Sequence, residues 1–78
     1  MITSEQIKAA RGLLRWSQQD LATAAGVGLD TVKRIERVHG PVNAHTRTVG
    51  AMQRAIQDAG VAFTNGDEPG VKLARRDG

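Results

Sequence analysis

Lys33, Arg34 and Arg37 crowd three cations into five residues, with Leu29 and Asp30 one turn ahead of them and Ser17-Gln18 further upstream. Residues of these types bind and orient an anionic partner by charge and hydrogen bonding; they do not make or break bonds. The rest of the chain offers no bond-making set either. Cysteine is absent, which excludes disulfides, thiolate metal sites and a cysteine nucleophile. No paired acid and base and no nucleophile beside a base stands out, so the chain is not expected to be an enzyme. His39 and His45 flank a Gly-Pro turn with no acidic ligands nearby, so no metal or other cofactor is expected. Gly66 and Gly70 precede no helical segment and read as turn residues, not as a phosphate loop. On their own, the three cations would pass for an ordinary solvated face, so the elements that carry them decide the reading.

The 78 residues make one small unit, whose core supplies only about 3–5 kcal/mol and needs good packing or a partner. Lys plus Arg is 11 against 8 Asp plus Glu, a net charge of +3 that permits a polyanionic partner without requiring one. Aromatic residues are 3% of the chain, too few for stacking on single-stranded bases. No run of about 18 apolar residues exists, so no membrane span is expected. The polar, acidic start Met-Ile-Thr-Ser-Glu-Gln does not fit a secretory leader, and a cytoplasmic location is expected.

The apolar residues recur at helical spacing. Thr3 and Gln6 can form a capping box and Ile2 and Ile7 a hydrophobic staple, which predicts a first helix over about 4–15. Ser17 is the next N-cap, with Asp20 in the first turn. Leu21, Ala24 and Ala25 make the inner face of a helix over 18–25 that Gly26 stops. A third helix runs from 29 to 37 or 38, with Val32 and Ile35 inward. Asn43 is expected to cap a fourth, whose stripe is Val49, Met52, Ile56 and Ala59 and which Gly60 closes. Beyond it, residues 61–64 and 71–75 alternate apolar and other residues around a turn-rich loop, the pattern of a β-hairpin. The expected architecture is mainly α: a four-helix domain over 1–60 and a hairpin extension over 61–78.

Two short helices joined by so tight a turn must cross steeply. Leu21, Ala25, Val27, Val32 and Ile35 form their seam, and Leu29, Asp30, Lys33, Arg34 and Arg37 are left on the outward face of the second. That is the geometry of a helix-turn-helix whose second helix fits the major groove of DNA. The stretch from Glu5 to Ala59 resembles the phage-repressor (Cro-like, xenobiotic-response-element) helix-turn-helix family, which has the lambda-repressor-like fold. The matching residues are Arg11, Ser17-Gln18, Leu21-Ala22, Gly26-Val27, Thr31-Val32 and Ile35-Glu36. The ending Ala-Gly-Val-Ala-Phe, turn, Pro-Gly-Val-Lys-Leu also looks like the tail of small bacterial members. Gly28 departs from the pattern, since the family usually places a capping serine there.

The resemblance implies a transcriptional regulator, a repressor by default, that binds double-stranded DNA as a homodimer. It implies that Ser17 and Gln18 donate to a phosphate, that Gly28 and Thr31 lie at the same interface, and that Leu29, Asp30, Lys33 and Arg34 face base edges or adjoining backbone. Arg37, Asn43, His45 and Arg47 would lie towards flanking phosphates. Arg11 and Glu36 would form an ion pair between the first and third helices. Leu29 also fits the core, and Trp16 reads as a packing anchor. The hairpin, too small to stand alone, would either pair with a second copy or fold back on its own helices. An alternative of another class keeps the same fold: an antitoxin-like or adaptor module that holds a protein partner.

Overall fold

The computed structural model describes residues 2–43, 45–65 and 68–74. Its elements are α1 (Ser4–Leu14), α2 (Gln18–Ala25), α3 (Leu29–Arg37), α4 (Arg47–Asp58), β1 (Val61–Thr64) and β2 (Gly70–Leu73). This is the expected four-helix architecture with a C-terminal hairpin. Among the described residues, no helix is long and apolar enough to cross a membrane.

Local chemistry sets most of the helix ends. At α1 the Gln6 N–H donates to Thr3 Oγ1 at 3.0 Å and the Thr3 N–H to Gln6 Oε1 at 2.8 Å. At α2 the same reciprocal pair joins Ser17 and Asp20, at 3.0 and 2.9 Å. Gly26 leaves α2 at φ 70°, a conformation that favours glycine, and the Val27 N–H closes the turn on the Ala22 carbonyl at 3.0 Å. The first helix ends one residue sooner than expected, because Arg15 takes the left-handed conformation (φ 58°) and its N–H turns back to the Arg11 and Gly12 carbonyls. The larger correction concerns α4. Asn43 does not cap it; the Asn43 side chain accepts from the His45 N–H at 2.9 Å, an Asx turn. The cap is Thr46, whose hydroxyl accepts from the Val49 N–H at 3.3 Å, so the helix starts at Arg47.

Ile2, Ile7, Ala10, Leu21, Ala22, Val32, Val42, Val49, Met52, Ile56 and Val61 form one buried cluster. Trp16, Leu29, Ile35, Phe63 and Val71 pack around it. On α2 the inner face falls on Leu21 and Ala22; Ala24, expected inside, is exposed, and Ala25 is half-buried. Ala59 is likewise half-buried, as the cap that ends α4. The segment before α1 pairs with the loop after α3: the Ser4 N–H donates to the Gly40 carbonyl at 2.9 Å and the Val42 N–H to the Ile2 carbonyl at 3.0 Å. The Ser4 hydroxyl also donates to the Val38 carbonyl. Glu5 accepts from the Gly40 N–H at 3.0 Å, and hydrogen bonds from backbone N–H groups, its own and that of Gly40, hold its carboxyl below the usual range.

The hairpin folds back on its own chain. Val61 pairs with Leu73 and Phe63 with Val71, so these four side chains share a face. The second strand begins one residue earlier than expected and ends at Leu73; Arg75, assigned to it from sequence, lies outside the described residues. A single amide fastens the hairpin: Gln6 Nε2 donates to the carbonyls of Thr64 at 2.8 Å and Gly70 at 2.9 Å, the last rung before the loop. Gln6 is 3% exposed and uses both amide hydrogens and its oxygen within the protein. Gln6→Met keeps the volume and removes these bonds. It is expected to cost about 1–3 kcal/mol in urea unfolding and to weaken hydrogen-exchange protection in β1 and β2 first. Unchanged protection there would show that packing alone holds the hairpin.

Candidate nucleic-acid interface

The face of α3 turned to α1 is organised around one buried carboxylate. Glu36, with a side chain 3% exposed, accepts from Arg11 Nε at 2.6 Å and Arg11 Nη2 at 2.7 Å, a two-pronged ion pair across the helices. Gln18 Nε2 adds a third donor at 3.2 Å. The other arm of the guanidinium, Nη1, donates to the Trp16 carbonyl at 3.0 Å, just ahead of the α2 cap. One Arg11 side chain therefore ties α1, the entry to α2 and α3 together, and its bonds to Glu36 hold its pKa above the ordinary arginine value. The ion pair inferred from the resemblance is present; the Gln18 bond is an addition that sequence spacing does not reveal.

Beyond this node, α3 points outward. Asp30, Lys33, Arg34 and Arg37 are exposed, and none has a hydrogen bond or ion pair among the described residues. Leu29 is half-buried and packs against the core. Thr31 is half-buried as well. Among the described residues, three grooves adjoin α3. One, of about 450 Å³, is lined by Lys8, Arg11, Gln18, Lys33, Glu36 and Arg37. A second, of about 400 Å³, runs beside the Gly26–Gly28 turn and is lined also by Thr31, Arg47 and Thr48. The third, of about 450 Å³, takes in Arg34, Val38, Asn43 and Thr46. Gly28, Thr31 and Arg47 thus share one groove and Arg34 and Asn43 another, while His45 is exposed on the loop before α4.

The helix N-termini differ in what they offer an anion. At α2 the Gln18 and Gln19 N–H groups have no partner among the described residues, but the Ser17 N–H is taken by the Asp20 carboxylate, whose charge competes with an incoming phosphate. The Gln18 amide has one hydrogen on Glu36 and one to spare. At α3 the cap is Gly28, which supplies no side-chain hydrogen bond. At α4 the first turn holds no acid, the Arg47 and Thr48 N–H groups have no partner among the described residues, and Arg47 adds a full positive charge. The start of α4 is therefore the best-prepared anion site of the three. Sequence reading reached Arg47 but missed Thr48, because it started the helix at the wrong cap. It also missed Lys8, whose signal was its position one turn before Arg11 on α1.

Compared with models of known protein families and with curated proteins, the chain matches none.

Proposed function

We propose that this protein is a sequence-specific double-stranded DNA-binding transcriptional regulator of the helix-turn-helix kind, acting in the bacterial cytoplasm as a repressor by occupying its site. The observation that carries the reading is α3 itself. Its outward charged side chains have no partner among the described residues, while its inner carboxylate is locked to two other helices. A helix that is rigidly held and chemically unspent on one face suits insertion into a major groove. The free N–H groups of α4, with Arg47, and the spare hydrogen of Gln18 suit the phosphates on either side.

A single module reads few base pairs, so a two-fold dimer with reading helices about one DNA turn apart completes the proposal. The hairpin is the element we assign to pairing. It packs on its own α1, yet the outer edge of β2 leaves the N–H and C=O groups of Val71 and Leu73 without a partner among the described residues, and Leu73 is 60% exposed. Binding-site selection from random duplex DNA tests the whole reading. The expected product is a consensus of two inverted half-sites. No enrichment at low salt would overturn DNA recognition and leave a protein-holding module on this fold; a single unrepeated half-site would overturn the dimer alone.

A further inference from the structure

Asp30 is an acid on a face otherwise built of cations. Helical spacing places it beside Lys33 and Arg34, at i+3 and i+4, and an acid four residues before an arginine is the favourable order for an ion pair. No such pair forms: Asp30, Lys33 and Arg34 are all exposed and all without a partner among the described residues. The carboxylate is therefore available to a ligand while sitting where a polyanion's backbone would be repelled. A ligand that gains from it must present a hydrogen-bond donor at that point.

Only two groups in the DNA major groove are donors, the N4 amino of cytosine and the N6 amino of adenine. Adenine carries its N7 acceptor next to N6, which repels the second oxygen of a carboxylate and suits an amide instead. Cytosine has no acceptor on its major-groove edge. We infer that Asp30 is a specificity-determining residue that selects cytosine by accepting a hydrogen bond from its N4 amino group. Arg34, one turn further along the same face, reads a guanine in the same or the adjoining base pair through O6 and N7. The inference rests on the DNA-binding reading above. A structural role competes with it: Gly28 leaves α3 without a side-chain cap, and an acid in the first turn offsets the helix dipole.

The test uses the full chain and its Asp30→Ala and Asp30→Asn variants, each checked for native helicity by circular dichroism. Each is selected on random duplexes and then titrated against the best duplex and a copy in which 2-pyrimidinone, which lacks the amino group, replaces the cytosine. The wild type is expected to lose roughly tenfold on the amino-less base, and Asp30→Ala to bind both duplexes alike. Asp30→Asn is expected to shift the preference from cytosine to adenine, which a dipole role cannot produce. If the three proteins select the same consensus, or the wild type tolerates the amino-less base, Asp30 does not read cytosine although the protein binds DNA. If the wild type enriches no duplex, the functional reading fails and this one with it.

Discussion

Replacing Glu36 by alanine is expected to leave the part-buried Arg11 without its counter-charge, and replacing Arg11 by methionine to strand the buried Glu36 carboxylate. Each change should cost up to about 3–5 kcal/mol, with the larger loss where the buried Glu36 is stranded. That upper figure is as much as the whole core of so small a domain supplies, so the Arg11→Met variant should be largely unfolded at 25 °C without an osmolyte. The double variant removes both charges at once and should cost clearly less than the sum. Urea titrations of all four proteins in a fixed concentration of trimethylamine N-oxide, which strengthens burial, keep the singles measurable. Additive losses would show that the two side chains do not act as a pair. The geometry argues for strong coupling: two parallel hydrogen bonds of 2.6 and 2.7 Å, with Gln18 as a third donor to the same carboxylate.

The second large effect is on binding. Lys8, Lys33, Arg37 and Arg47 line the grooves beside α3; on the proposed DNA-binding reading, at one phosphate each, they would neutralise four charges per protomer. Counterion release then gives a slope of about −3.6 in log affinity against log salt for one protomer, and about −7 for a dimer. Raising sodium chloride from 50 to 200 mM should weaken binding about 150-fold in the first case and about 2 × 10⁴-fold in the second. Fluorescence anisotropy across a salt series reads the slope. Arg37→Ala should flatten it by about 0.9 per protomer with the base preference unchanged, whereas Arg34→Ala should relax one or two base positions. Duplex affinity indifferent to salt would exclude a phosphate-gripping interface.

What was legible in the sequence was what is decided locally. A serine or threonine just ahead of a helical stripe announces a cap: Thr3 and Gln6 form their box and Ser17 caps α2 as expected, while the bond from the Ser17 N–H back to Asp20 is an addition. Gly26 stops α2 because few other residues turn left there so cheaply. Local rules failed where two of them competed. Asn43 and Thr46 are both good caps, and the asparagine spends its side chain on a turn two residues ahead, leaving the helix to the threonine. They failed again where the deciding neighbour is remote. Ala22, small where α2 and α3 approach each other, is buried as expected, but nothing within α2 records that Ala24 lies outward. The joint between Gln18 and Glu36 and the groove shared by Lys8 and Lys33 are likewise products of packing. Arg15, left-handed without being glycine, carries no local signal at all.

The bond from Gln6 to Gly70 spans 64 residues. On a ribosome adding about 5–20 residues per second, that separation is a delay of roughly 3–13 seconds. During it α1 can curl and close its own cap, since Thr3 and Gln6 lie together in the chain, but the Gln6 amide stays in water and the apolar face of α1 has no strand to meet. Helices finish in microseconds, so the timetable of this protein is set by translation. Nascent chains halted before Gly70 should therefore be open to chaperones and proteases, and the emergence of β2 converts an early collection of helices into a closed domain.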